Sequence, residues 1–154
     1  MLREAFTEAL KRALKEKDAR AVSTLRLILA ALKDRDIAAR GRGGPDSTIG
    51  EDEVLAMLQT MVKQRRESIG LYEQGGRLEL ADRERREIEI IEHFLPEPLD
   101  DRQVKAAVAE TIARIGAASL RDMGKVMAQL RADYAGRMDF AGVSAIVKAE
   151  LAAR

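Results

Sequence analysis

The sequence predicts an all-α protein made of an N-terminal four-helix unit followed by a three-helix tail domain. Three observations carry that expectation. Ala, Leu, Glu, Lys and Arg dominate the chain, while aromatic residues are only 3% and Trp is absent, so the runs that favour strands are missing. Apolar residues recur at three- and four-residue spacing along most of the chain. The segment "LPEPL", residues 95–99, sets two prolines within three positions, where a helix cannot continue. It divides the chain into an N-terminal helical domain, 1–95, a Pro-containing linker, 96–99, and a C-terminal tail domain, 100–154.

The first helix is predicted over residues 2–17, burying Phe6, Leu10, Ala13 and Leu14 at helical spacing. Asp18 is placed to cap the second, which turns Val22, Leu25, Ile28, Leu29 and Leu32 inward and fades near Arg40. "GRGGPDSTIG", residues 41–50, reads as a loop. The third helix starts at Glu51, where acids suit the positive helix end, and runs towards Gly75, with Val54, Leu58, Met61, Val62, Ile69 and Tyr72 inward. The fourth spans roughly Leu78 to Phe94 and buries Leu80, Ala81, Ile88, Ile91 and Leu95. Asp82–Arg86, Arg83–Glu87 and Arg85–Glu89 mark it as an exposed helix laced by i,i+4 ion pairs. In the tail, Asp100 with Gln103 spells a capping box, Val104, Val108, Ile112 and Ile115 form a stripe, and Gly116 stops the fifth helix. Ser119 caps the sixth, which buries Leu120, Met123, Val126, Met127, Leu130 and Tyr134. Asp139 caps the seventh, with Met138 and Val143 spaced as a hydrophobic staple and Val143, Ile146, Val147 and Leu151 inward.

Size and charge narrow the function. The 154 residues are 46% hydrophobic and 34% charged, enough for a packed core beneath a solvated surface. A formal net charge of +1 provides no global field, so a nucleic-acid site has to be a local patch. The absence of Cys excludes disulfides, thiol catalysis and Cys-ligated metals. The opening "MLREAFTEALKRALKEKD" lacks the apolar core of a signal peptide, and no uncharged run approaches the roughly 18–20 residues of a membrane span. A soluble cytoplasmic protein without membrane contact is expected.

One stretch calls for a reason beyond packing. "MGKVMAQLRADYAGRMD", residues 123–139, is an amphipathic helix with Gly124 inside it and Gly136 at its end, although an internal glycine costs roughly 1 kcal/mol against alanine. Spaced around a helix, Arg121 and Lys125 fall nearly opposite the apolar face, one turn apart, with Gly124 and Arg131 on the flank. Small flanking residues allow a sugar-phosphate chain to approach closely, and Arg137 follows in the turn before the start of the seventh helix. The bland alternative is that the cations serve solubility and Gly136 merely stops a helix.

"SLRDMGKVMAQLRADYAGRMDFAGVSAIVKAEL", residues 119–151, resembles the tail domain of the GatB/YqeY family through Met123–Met127, Gly136–Asp139 and Val147–Leu151. "STLRLILAALKDRDI" at 23–37, "VKQRRESI" at 62–69 and "EIEIIEHFLPEPL" at 87–99 extend the resemblance over nearly the whole chain, to the free-standing YqeY-like group. The resemblance implies a helical N-terminal unit, a three-helix tail, and tRNA or a tRNA–protein complex as partner, since the equivalent tail of the GatB amidotransferase subunit engages tRNA. It makes Arg121, Lys125, Arg137 and Lys148 the candidates for RNA backbone contact, with Gly124 and Gly136 admitting the backbone. Two departures stand out: Phe140-Ala141 replaces the small or basic pair usual after Asp139, and the 41–50 loop is longer and richer in Gly.

Chemistry is hard to find. His93 has no ligand partner at metal spacing, and the glycines at 41–44 lack the Lys-Ser/Thr ending of a phosphate loop. Ser119 is better explained as a cap than as a nucleophile, and the carboxylates alternate with Arg rather than pair. No catalytic residue, metal or cofactor is therefore assigned. Lys63, Arg65 and Arg66 read as a solvated face. Arg26 and Lys33 edge the second helix with Ala30 between them, where RNA or a partner could lie, although pairing of Arg26 with a neighbouring acid is the simpler expectation. The leading reading is a non-catalytic tRNA-binding accessory to glutamine-dependent aminoacyl-tRNA amidation, with a protein partner in that process. The alternatives are direct participation in carbon–nitrogen ligation with glutamine as amido-N-donor, and a helical protein–protein adaptor.

Overall fold

A computed structural model describes residues 1–154, and every regular element in it is helical. The helices are α1 (Leu2–Glu16), α2 (Ala19–Gly43), α3 (Glu51–Gln74), α4 (Leu78–Glu92), α5 (Asp101–Ile115), α6 (Met123–Asp133) and α7 (Phe140–Ala152), with one 3-10 turn at Leu120–Asp122. No helix is long and apolar enough to cross a membrane. The chain divides into two compact units, Met1–Leu95 and Pro96–Arg154.

In the first unit, α1 and α2 are separated by a tight reversal. Lys17 takes the left-handed conformation at φ 57, and Asp18 accepts a hydrogen bond from the Ala21 N–H at 3.1 Å, capping α2 as its position predicts. Phe6, Leu25, Ile28, Val54, Met57, Leu58 and Ile91 make the centre of the core, and Phe6 meets Phe94 edge-on at 4.9 Å. Each such side chain contributes about 1.5–3 kcal/mol by leaving water. Leu14, in the last turn of α1, departs from expectation at 49% exposed.

Two polar clusters built on the buried carboxylates of Asp36 and Glu87 stitch the unit together. Arg3 on α1 makes a two-pronged bond to Asp36 on α2, both contacts 2.8 Å, and donates to the Ile49 carbonyl at 3.0 Å. Asp36 also accepts the Ile49 N–H at 3.0 Å, so one carboxylate fastens the chain before α3 to the two preceding helices. The second cluster corrects the expected pairing of α4. Its arginines reach other elements or i,i+3 neighbours: Arg85 pairs with Glu73 and Asp82, and Arg86 with Asp18 and Glu89. Glu87 turns inward between Arg20 at 3.6 Å and Arg65 at 3.7 Å, so α4 is a packed helix rather than an exposed one. Arg65 is thus drawn into the interior, and Arg26 remains exposed with no ion pair.

In the tail unit, α5 begins with the expected capping box between Asp100 and Gln103 and ends on Gly116 in the left-handed conformation, φ 74. Val108, Ile112, Val126, Leu130, Val147 and Leu151 are its fully buried centre. Met138 and Val143 are both buried there, as a staple across the start of α7 requires. The sixth helical segment is interrupted. Ser119 caps a 3-10 turn, with Asp122 reaching back to the Ser119 and Ala118 N–H groups, before α6 proper starts at Met123. A 3-10 turn advances about 120° per residue rather than about 100°, so Leu120 is swung outward and stays 49% exposed instead of joining the core.

Candidate nucleic-acid interface

The tail unit, Pro96–Arg154, has nine cations and eight side-chain carboxylates, so net charge does not single out its surface. Few of those charges are paired with one another. Arg114 is the one cation of the tail in an ion pair, with Asp133 at 2.8 Å. Two carboxylates serve backbone groups: Asp100 accepts the Gln103 N–H at 2.7 Å, and Asp122 those of Ala118 at 2.9 Å and Ser119 at 3.4 Å. The bonds from Ala118 and Ser119, helped by the charge of Lys125, hold Asp122 below the usual carboxylate range. In the first unit Arg3, Arg20, Arg65, Arg66, Arg77, Arg85 and Arg86 lie against carboxylates, while others such as Arg26, Lys33 and Arg40 are likewise in no ion pair.

Arg121, in the 3-10 turn, and Lys125, on α6, are both exposed and in no ion pair. Gly124 between them is exposed, and a Cβ built there would meet nothing within 4 Å. The fold has no packing use for this glycine. Gly136 is different: it is buried at φ 77, so the left-handed turn itself accounts for it. Arg137 is half-buried and fixed from within the tail. Its Nε donates to the Glu97 carbonyl at 2.9 Å, and its own carbonyl accepts the Leu99 N–H at 3.0 Å. The guanidinium therefore anchors the proline segment while keeping its charge, because a carbonyl does not neutralise it. Arg131 lies over the Phe140 ring, 5.7 Å from its centre.

Lys148 is exposed on α7 and unpaired. The depression that reaches Arg121, about 360 Å³ in volume, is instead completed from α7 by Leu151 and Arg154, with Ser119 and Leu120 on the near side; Lys125, Arg137 and Lys148 do not line it. Arg154 escaped the sequence reading, since it lies beyond the last apolar position of α7 and no periodicity marks it. The start of α7 is not open to an anion, because the Asp139 carboxylate lies 3.2 Å from where a Gly142 Cβ would be. Asp139 makes no capping hydrogen bond with its side chain, so it guards this helix end by charge rather than by the bond its position suggests. His93 is exposed and edge-on to Phe94 at 5.3 Å, and no group of three His, Cys, Asp or Glu side chains is placed to hold a metal ion.

These features define a small, entirely helical protein whose tail presents cations that its own carboxylates do not neutralise. The chain belongs to the YqeY-like family, matching the family described as "Yqey-like protein" over residues 3–151, a family tied to the C-terminal domain of GatB. No curated protein matches it.

Proposed function

We propose that the protein is a tRNA-binding accessory module, and that the tail grips the sugar-phosphate backbone through Arg121 and Lys125, with Lys148 and the outer nitrogens of Arg137 as further contacts. One observation carries this reading: two exposed, unpaired cations one turn apart flank a glycine for which the fold has no use. Contacts of this kind set position and affinity without reading bases, so many tRNAs bind alike and salt weakens them all. The family's tie to GatB makes the amidation of aminoacyl-tRNA the process it would serve.

Replacing Lys125 with Ala weakens tRNA binding across species and lowers the slope of log affinity against log salt by roughly one. Fluorescence anisotropy over a salt series reads both quantities, and identical slopes for parent and variant would sink the assignment. Gly124→Ala separates fold from function in one protein. A methyl group there meets no neighbour, so thermal stability rises by about 0.5–1 kcal/mol from helix propensity. Affinity for tRNA falls, because that methyl group occupies the path of the approaching backbone. A variant gaining stability with unchanged affinity shows that nothing approaches at Gly124.

A further inference from the structure

The first unit has a surface that neither its core nor the tRNA reading uses. Helix α2 is apolar on two opposite faces. One carries Leu25, Ile28, Leu32 and Ala39 into the core. The other presents Leu27, Ala30, Ile37 and Ala38 to solvent around the exposed Asp34, with Leu27 at 47% and Ile37 at 49% exposed. Leu27, Ala30, Asp34, Ile37 and Gly41 follow alternating three- and four-residue steps, the period of a helix–helix seam. A Cβ at Gly41 would meet nothing within 4 Å, so the seam stays open to its end. At about 1.5 Å per residue it is roughly 20 Å long, enough for three turns or more of a docked helix.

The charges beside the seam choose the occupant. Arg26, Lys33 and Arg40 recur every seven residues along one edge, all exposed and in no ion pair. Arg40 acts at longer range on Asp36, which leaves Arg26 and Lys33 as the uncommitted pair. A second copy docked antiparallel would bring this basic edge against its own twin, which repels. Nucleic acid would use the cations but leave the leucine and isoleucine against water. We infer that the outer face of α2 docks a partner protein through an amphipathic helix with leucine-type residues on one stripe and glutamates beside it. Apolar contact then gives affinity, and Arg26 and Lys33 select the acidic partner.

The probe is a labelled three-heptad peptide with Leu at its seam positions and Glu on both edges, titrated by anisotropy into the full chain, beside a twin carrying Lys for Glu. The parent binds the acidic peptide at least tenfold more tightly than the basic one. Leu27→Asp with Ile37→Asp, both at exposed positions, loses that binding at least tenfold with an unchanged melting temperature. Arg26→Glu with Lys33→Glu reverses the preference. Equal binding of the two peptides, or binding of neither, overturns the inference. So does a sedimentation-detected dimer abolished by Leu27→Asp, which would assign the face to a second copy. A tenfold loss of tRNA affinity in Arg26→Glu/Lys33→Glu without any change in peptide binding would assign it to RNA. Lys125→Ala leaves peptide binding intact, which keeps this test independent of the tail.

Discussion

Asp36→Ala lowers the stability of the N-terminal unit by about 3 kcal/mol, the lower end of the cost of breaking a buried ion pair, because Arg3 is partly solvated. Asp36 is buried, and its two oxygens hold both guanidinium nitrogens of Arg3 and the Ile49 N–H. Removing it strands a guanidinium and a buried N–H at once. The Arg3 hydrogen bonds first, then the Ile49 N–H and the charges of Arg3 and Arg40, outweigh burial and pull its carboxyl from 3.8 to about 2. A lowered acid contributes stability that is complete above its unfolded value near 3.8 and lost as pH falls through about 2. Urea unfolding of parent and Asp36→Ala therefore shows a gap that is constant from pH 5 to pH 7 and closes in that acid window. A gap independent of pH down to the acid limit would mean that the carboxylate charge is not what fastens α1, α2 and Ile49.

Glu87→Leu costs a similar amount, about 3 kcal/mol, for a different reason. The Glu87 carboxylate is the only counter-charge within 4 Å of Arg65, whose side chain is 13% exposed and whose buried Nε has no hydrogen-bond partner. At 3.7 Å the pair gains Coulomb attraction without a hydrogen bond, so its stabilising part is small and the danger lies in leaving one charge alone. The double change Glu87→Leu/Arg65→Met is accordingly at least as stable as the parent, although Glu87→Leu alone is not. Glu84 supplies a second readout. Its carboxyl is pushed up by burial and then by the charge of Glu87, so removing Glu87 brings its NMR titration midpoint down. Additive single and double changes would show that Arg65 finds its compensation elsewhere.

What the sequence made legible is local. The capping box at Asp100 and Gln103, the stops at Gly75 and Gly116, and the inward stripes of α5 and α7 follow from spacing alone, because their causes lie within one or two turns. Most misses have distant causes; Leu120, swung outward by its own 3-10 turn, is a local exception. Helix α2 runs to Gly43, into the Gly-Arg-Gly-Gly sequence that reads as a loop, with buried Ala39 and the Asp36–Ile49 bonds holding its last turns in place. Glycine tolerated there is a tertiary override of propensity. Arg83 and Glu87 have i,i+4 spacing, but Glu87 takes its cations from α2 and α3. In the candidate site, the exposed positions of Arg121 and Lys125 were readable, since four-residue spacing opposite an apolar stripe requires no partner. The internal bond of Arg137 was not readable, because its acceptor is a carbonyl forty residues earlier in the chain. Nor was the contribution of Arg154, which depends on how α7 packs beside the 3-10 turn.

Mapping by ¹H–¹⁵N NMR while unmodified tRNA is added to the full chain addresses the RNA reading most directly. The amides from Ser119 to Lys125, together with those around Lys148, should shift or broaden at low salt and return as salt rises, while the amides of α1, α3 and α4 stay still. Perturbation confined to the N-terminal unit, or a spectrum indifferent to tRNA at low salt, would contradict the account.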